Sequence, residues 1–379
     1  MKKTRLVTVV GTRPELIRLS RVISELDTIF DHILVHTGQN YDYELNEIFF
    51  SDLSIRKPNY FLNAAEETSS QTIGSVISKS DILFRKIKPD AMFVLGDTNS
   101  SLAAISAKKL KIPVFHYEAG NRSYDQRVPE EINRKIVDHI SDIHFTYSAI
   151  AREALLREGV SAQTIFNIGS PMLEVLNFYK TKIDGSQILK KLKLKKENYF
   201  LISFHREENV DISDNLMKFS HLVNKLADQY NLPIIVSTHP RTKKKILKDK
   251  IKFNGLVKLS KPFAFTDYIK LQISSKAVLS DSGTVSEEAS ILDFPAVNLR
   301  ESHERPEAME QAVVPLIGVN INLALEALEM LFIQKKGKKE HERIFPIVQD
   351  YNVPIVSKKI SRLILSYISY VNKFTWQKT

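Results

Sequence analysis

Short, largely apolar runs alternate with amphipathic stretches along almost the whole chain. Leu6–Val10, Ile33–His36, Ala91–Leu95, Pro113–Tyr117, Ile143–Thr146 and Thr164–Ile168 have the length of strands. Runs of this kind, lacking polar alternation, mark parallel strands covered on both faces. Between them, a 3.6-residue period predicts helices at Pro14–Leu26, Tyr43–Leu53, Gln71–Lys86, Ser101–Leu110, Glu130–Ile140 and Ala149–Glu158, with Pro14 suited to the first helical position. After a polar, lysine-rich stretch the alternation restarts. Strands are expected at Tyr199–Phe204, Pro233–Ser237, Val257–Leu259, Ala277–Ser280 and Ala296–Leu299, and helices at Leu216–Gln229, Phe265–Ile273 and Val285–Leu292. The expected fold is α/β: two doubly wound, Rossmann-like domains, residues 1–170 and 171–360, facing across a cleft. The closing amphipathic segment Ser357–Asn372 is expected to cross back, so that helix 361–379 packs on the first domain.

Composition narrows the class. A chain of 379 residues with 43% hydrophobic and 26% charged residues is long enough for two cores and has the balance of a soluble globular protein. No apolar run approaches the roughly 20 residues that span a bilayer, so no membrane insertion is expected. The five apolar residues after Met-Lys-Lys-Thr-Arg are expected to form a first buried strand rather than a leader. The chain has no cysteine, which removes disulfides, thiolate nucleophiles and cysteine-bound metals. A cytoplasmic location is expected by default.

A net charge of +10 raises the question of a polyanion partner. The lysines concentrate in Lys190–Lys196, Arg241–Lys252 and Lys335–Arg343, without interleaved aromatics that would stack on bases. They are read as solvated faces and loops, so no nucleic acid is expected. An anionic small substrate fits the same balance.

Carboxylates stand where the buried strands should end. Gly96-Asp97-Thr98 follows one strand, Glu118-Ala119-Gly120 follows the next, and Pro129-Glu130-Glu131 comes after a short polar link. Open α/β sheets place their chemistry just past the carboxyl ends of the strands. Asp97 and Glu118 are therefore expected in one crevice, with Glu130 brought to it. Carboxylates crowded together push each other's pKa values apart, which lets one site hold an acid and a base. This is the pattern of an enzyme that moves protons.

Two turns suit an anion. Gly11-Thr12-Arg13-Pro14-Glu15 joins the first strand to the first helix, where a helix amino end favours negative charge and Arg13 can contact a phosphate. Ser280-Asp281-Ser282-Gly283-Thr284 makes the same junction in the second half, and Glu287 or Glu288, one turn on, can accept ribose hydroxyls. The plainer alternative there is a helix cap built on Ser282 or Thr284. His205 ends the first strand of the second half, where it can stabilise a departing phosphate. Gln39, Arg134, Arg206, His239 and Arg305 complete the candidate groups near the cleft. The histidines lack the close spacing of zinc motifs, so no metal is expected.

Taken in order, Gly11–Glu15, Gly96–Thr98, Glu118–Gly120, Pro129–Arg134, Asp281–Gly283 and Glu304–Glu307 resemble the non-hydrolysing UDP-N-acetylglucosamine 2-epimerases over nearly the whole chain. The resemblance implies a glycosyltransferase-B-like fold, a homodimer and no cofactor. It implies a reaction in which a base removes the proton at sugar C2 while UDP leaves C1, giving a 2-acetamido-glycal to which UDP returns after a proton reaches the other face. By the same resemblance Asp97, Glu118 and Glu130 fall on the catalytic acids and His205 lies near the leaving UDP. Arg13, Ser282 and Gly283 fall on the UDP phosphates and Glu288 on the ribose, with Thr284 also expected in the UDP site.

Two loops depart from the pattern of the UDP-N-acetylglucosamine enzymes. They are His36-Thr37-Gly38-Gln39-Asn40-Tyr41-Asp42-Tyr43-Glu44 and Phe204-His205-Arg206-Glu207-Glu208-Asn209-Val210-Asp211. Both resemble the branch that makes UDP-N-acetyl-L-fucosamine from its L-talo isomer for capsule or O-antigen. Asn121–Arg127 and Tyr370-Val371-Asn372 with Trp376 point the same way. The alternatives are epimerisation of UDP-N-acetylglucosamine to UDP-N-acetylmannosamine, or a glycosyltransferase of the same fold, which needs an acceptor.

Overall fold

The computed structural model describes residues 3–38, 50–126, 128–204, 213–238, 240–302, 305–334 and 342–378. The chain divides into two compact units: Met1–Phe178 with Asp350–Thr379, and Tyr179–Gln349.

The first unit is built on a seven-stranded parallel sheet in the order β3-β2-β1-β4-β5-β6-β7. Its strands are β1 (Arg5–Val10), β2 (Asp31–His36), β3 (Tyr60–Phe61), β4 (Ala91–Leu95), β5 (Val114–Tyr117), β6 (Ile143–Thr146) and β7 (Ile165–Asn167). The central strands β4 and β5 are buried at every residue, which is why they carry no polar alternation. Helices α1 (Arg13–Ile29), α2 (Ser69–Ile87), α3 (Ala103–Lys109), α4 (Pro129–Ile140), α5 (Ala149–Arg157) and α6 (Met172–Asp184) follow in turn, α6 running across the division between the units. On one face of the sheet Val7, Val9, Met92, Val94 and Val114 pack against Val76, Phe84, Ala103, Ala107 and Val137 from the helices.

The second unit holds a five-stranded parallel sheet in the order β10-β9-β8-β11-β12. Its strands are β8 (Phe200–Ser203), β9 (Ile234–Ser237), β10 (Val257–Ser260), β11 (Ala277–Ser280) and β12 (Ala296–Asn298). Around them lie α7 (Ile188–Leu192), α8 (Ser213–Tyr230), α9 (Pro240–Lys248), α10 (Phe265–Ser274), α11 (Thr284–Leu292), α12 (Pro306–Glu310) and α13 (Ile321–Ile333). Phe204 stacks on Phe219 with ring centroids 4.1 Å apart, joining the end of β8 to α8.

The last helix, α14 (Val356–Phe374), returns to the first unit and packs along α1. Ile360, Ile364, Ile368 and Val371 form its buried stripe at helical spacing. Its approach is fixed by backbone contact: Ser170 N–H donates to the Asp350 carbonyl at 2.9 Å. Gly169 has φ +90°, and a Cβ there would lie 2.5 Å from Val353 Cγ2, so only glycine fits.

The structure refines several expected boundaries. The segment expected as a helix from Ser101 begins as a 3-10 turn, Asn99–Leu102, because the Thr98 side chain caps Ser100 N–H one residue earlier. The expected helix Tyr43–Leu53 lies largely outside the described residues. Helices α6, α7, α9, α12 and α13 join those expected from the pattern. A chemical test of the docking of α14 is Ile364→Ala. Denaturant unfolding should show the first unit losing about 2–5 kcal/mol, the cost of truncating a fully buried isoleucine.

Candidate active site

The order of the first sheet reverses between β1 and β4, and an open sheet forms its crevice at such a point. Three turns meet there. Gly11 and Thr12 follow β1, Thr37 follows β2, and Gly96–Asn99 follow β4. They are in close contact: a Cβ on Gly11 would lie 1.9 Å from Ser100 Oγ and 2.2 Å from Thr37 Oγ1, and those two hydroxyls bond at 2.7 Å.

Glu15, in the first turn of α1, is buried at this junction. Its Oε2 accepts from Gly11 N–H at 3.0 Å and from Thr12 Oγ1 at 2.7 Å, and its Oε1 accepts from Thr98 Oγ1 at 3.2 Å. Burial pushes its carboxyl up to about 7, against the downward pull of those hydrogen bonds.

Asp97 is held by the Pro129–Arg134 segment at the start of α4. Arg134 Nε donates to Asp97 Oδ2 at 3.0 Å, its Nη2 bonds the same oxygen, and its Nη1 reaches Glu131 at 2.7 Å. Asn133 Nδ2 donates to the Asp97 carbonyl at 3.0 Å and to Asn99 Oδ1 at 3.1 Å. Glu131, fully buried, also accepts from Ser123 N–H and Oγ. Of the two adjacent glutamates, Glu131 thus ties the helix to its preceding loop, while Glu130, half-buried in the first turn, is the one turned less inward.

Glu118 follows β5 with φ +67°, a left-handed conformation that costs a non-glycine residue roughly 1–3 kcal/mol unless its surroundings enforce it. Arg18 Nη1 donates to its Oε2 at 2.7 Å and to Tyr147 Oη at 3.2 Å, and Asn121 Nδ2 donates to its Oε1 at 3.2 Å. A Cβ on Gly96 would lie 3.7 Å from Glu118 Oε2. The carboxylate therefore sits over the residue just before Asp97, and the two carboxylates share one end of the sheet, each oriented by a guanidinium.

Beneath them Asp138, on α4, binds both loops. Its Oδ1 bonds His116 Nδ1 at 2.8 Å, both its oxygens accept from Gly120 N–H, and its Oδ2 accepts from Arg122 Nη1 at 2.7 Å. His116 Nε2 in turn bonds the Gly96 carbonyl at 2.9 Å. Burial pushes the Asp138 carboxyl up. The hydrogen bond from His116 and the charges of His116, Arg122 and His144 more than offset this, leaving it at about 2. Arg122 is itself held by two bonds to Glu158, at 2.8 and 2.6 Å.

In the second unit, Ser282–Thr284 follow β11 beside β8, again where strand order reverses. Gly283, not Ser282 or Thr284, stands at the N-cap of α11, and no side chain caps the helix from that position. The Ser282 and Thr284 hydroxyls bond each other at 2.9 Å, and Ser282 Oγ accepts from Thr284 N–H at 3.4 Å. Glu288 is buried and accepts from Gln272 Nε2 at 2.6 Å, while Arg305, also buried, lies 3.5 Å from Glu287. Arg13 is the first residue of α1, half-buried beside the Gly11–Thr12 turn.

Gln39, His205, Arg206 and His239 lie outside the described residues. Among the described residues no group of three histidine or acidic side chains is placed to hold a metal ion. Sequence reasoning missed Arg18, Glu15, His116 and Asp138. Glu15 left one signal, the Thr-x-x-Glu spacing of a helix start. Arg18 left none, because its partner is 100 residues away.

The family model described as UDP-N-acetylglucosamine 2-epimerase matches residues 24–365. The UDP-N-acetylglucosamine 2-epimerase of Methanocaldococcus jannaschii is 38% identical over 344 residues, 88% of this chain and 94% of that protein. Its structure in complex with UDP-GlcNAc and UDP matches with a TM-score of 0.88 at 34% identity, over 97% of this chain and 100% of that one. The UDP-2,3-diacetamido-2,3-dideoxy-D-glucuronate 2-epimerase of Pseudomonas aeruginosa is 34% identical over 330 residues, 85% of this chain and 91% of that protein. The structure of UDP-N-acetylglucosamine 2-epimerase from Rickettsia bellii matches at 48% identity with a TM-score of 0.91, over 99% of this chain and 100% of that one.

Asp138→Asn should cost about 3–5 kcal/mol, because it leaves Arg122 and His116 facing an uncharged group in the interior. The native carboxyl is held below its ordinary value of 3.8. Its contribution to stability is therefore full above that pH and is lost as pH falls toward 2. Unfolding measured from pH 7 to pH 2 should show this acid slope in the parent and its loss in the variant.

Proposed function

The chain belongs to the UDP-N-acetylglucosamine 2-epimerase family, a family of isomerases, and from that premise we propose that it inverts C2 of a UDP-N-acetylhexosamine by eliminating UDP and adding it back. The observation that carries this reading is the pair of strand-end carboxylates, Asp97 and Glu118, each bound by its own arginine at one end of the first sheet. A carboxylate takes the proton from C2 while the C1–O bond breaks and its electron pair leaves with UDP. The 2-acetamido-glycal then accepts a proton on the other face of C2, and UDP re-forms the C1–O bond. Two faces call for two proton carriers, or for one carrier and an intermediate that reorients. Asp97, Glu118 and Glu130 are assigned to this work, with His205 at the departing UDP. Arg13 and the Ser282–Thr284 turn are assigned to the diphosphate and Glu288 to the ribose, which suits a turn whose helix carries glycine at its N-cap. Arg18 and Arg134 orient the carboxylates. The chemistry is elimination rather than oxidation, so the assignment calls for no cofactor.

For the sugar we favour the pair UDP-2-acetamido-2,6-dideoxy-L-talose and UDP-N-acetyl-L-fucosamine, supplied to a surface polysaccharide such as capsule or O-antigen. The support is the resemblance of the 36–44 and 204–211 loops to that branch. The second reading, UDP-N-acetylglucosamine to UDP-N-acetylmannosamine, is favoured by the names of the relatives at Methanocaldococcus jannaschii and Rickettsia bellii. The Pseudomonas aeruginosa relative acts on a different sugar, by its name, so substrates vary within the family. The same proposal has the enzyme working as a homodimer in the cytoplasm. No helix among the described residues is long and apolar enough to cross a membrane.

Proton NMR in D2O distinguishes the readings. Epimerisation with deuterium entering at C2 of the 6-deoxy-L-talo substrate alone supports the first, and turnover of UDP-N-acetylglucosamine alone supports the second. No exchange in either sugar or in any other UDP-N-acetylhexosamine sinks the elimination mechanism. Asp97→Asn, Glu118→Gln and Glu130→Gln should each cut turnover by about 10²–10⁴-fold, the worth of a positioned acid or base, with UDP affinity nearly unchanged. Arg13→Ala and Glu288→Ala should instead weaken UDP binding first, as measured by calorimetry, and unchanged affinity in both would refute the nucleotide assignment.

A further inference from the structure

The buried carboxyl of Glu15 touches two turns that the proposed reaction uses for different purposes. One is Gly11–Thr12, which leads into Arg13. The other begins with Asp97 and continues through Thr98. A helix-capping glutamate is the plain explanation for an acidic residue three positions after Thr12. Three observations go beyond that role. The Thr12 hydroxyl is spent on Glu15 itself, so the helix has no side-chain cap from its N-cap residue. The second carboxylate oxygen crosses to Thr98, 83 residues along the chain. The side chain is also in the interior, where a cap that only finishes a helix end need not go.

Around this carboxyl the fold leaves no slack. Thr98 donates to Glu15 while its oxygen accepts from Ser100 N–H at 3.3 Å, so the hydroxyl is fixed from both sides. Ser100 is bonded to Thr37, and both hydroxyls press on Gly11 so closely that a single added carbon would collide. Glu15 thus bonds both the turn after β1 and the turn after β4, at the point where the sheet reverses order. Buried polar groups whose bonds are all satisfied act as a rigid unit.

We infer that Glu15 is a positioning residue for the reaction, setting the placement of the Asp97 turn relative to the turn that carries Arg13. The role assigned to it is exerted through Thr98 and Gly11. The inference rests on the epimerase reading for what is positioned, but the tie itself is a property of the first unit alone.

The test compares Glu15→Ala with Glu15→Gln. In the alanine variant both turns lose their shared partner. Hydrogen-exchange mass spectrometry should then show faster amide exchange in peptides covering residues 8–16 and 95–101 together. The glutamine variant should restore protection in both. Its carbonyl can accept from Gly11 and Thr12, and the Thr98 hydroxyl can rotate to accept from the amide. In C2 exchange assays the alanine variant should lose about 10–100-fold in kcat, as expected for a misplaced catalytic group, with KM changed by less than about threefold. Glutamine should recover most of that loss.

Exchange that rises only in residues 8–16 would mean that Glu15 merely caps α1, and the inference falls. It falls equally if the alanine variant keeps the parental kcat, or if glutamine is as slow as alanine. A parent that exchanges no C2 proton in any UDP-N-acetylhexosamine overturns the functional reading instead, and hydrogen exchange then judges the tie by itself.

Discussion

An aspartate without access to water joins the two loops on which the proposed chemistry rests. Asp138 receives Gly120 N–H, Arg122 and His116, and His116 passes the connection to the carbonyl of Gly96. The loop after β5 and the turn after β4 therefore share one anchor on α4. This is what allows Glu118 to remain in a left-handed backbone conformation that a free chain leaves at once. Gly120 must follow it, because a side chain there would run into the Ala151 carbonyl at 2.2 Å. The local cost at Glu118 is offset by a set of buried bonds that would be expensive to leave half-made.

The same helix does a second task at its amino end. Asn133 and Arg134 clamp the Asp97 turn, so α4 controls both carboxylates, one from its first turns and one from its third. The Pro129–Arg134 motif thus gains a physical meaning. Pro129 starts the helix, Glu131 fastens it to the preceding loop through Ser123, and Arg134 bridges Glu131 to Asp97. Proton-transfer groups need placement within a fraction of an ångström, and rigid elements supply it better than loops do.

Much of this arrangement is legible in the sequence, and the rest is hidden for physical reasons. Parallel strands buried on both faces appear as uninterrupted apolar runs, so Ala91–Leu95 is the same segment in sequence and structure. Asp97 and Glu118 are recognisable because strand ends in α/β sheets are where polar residues act. Helix α13, Ile321–Ile333, is apolar on nearly every side and offers little of the one-sided pattern that announces a helix. The pairs Arg18–Glu118 and His116–Asp138 are hidden in another way. Arginine and histidine have no preferred spacing from a partner that only tertiary structure brings near. The choice at the second helix start was likewise undecidable from Ser282, Gly283 and Thr284 alone, since all three residue types occupy N-cap positions.

The return of α14 along α1 makes the first unit discontinuous, with its last piece, Asp350 onward, separated from Phe178 by the whole second unit. On a ribosome this imposes an order of events. Its seven strands emerge early, yet the apolar face of α1 that α14 covers stays open while residues 179–349 are made, roughly ten to thirty seconds at 5–20 residues per second. During that interval the nascent chain carries a finished sheet with an uncovered stripe. The enclosed second unit is free to complete its own core before the first unit is sealed.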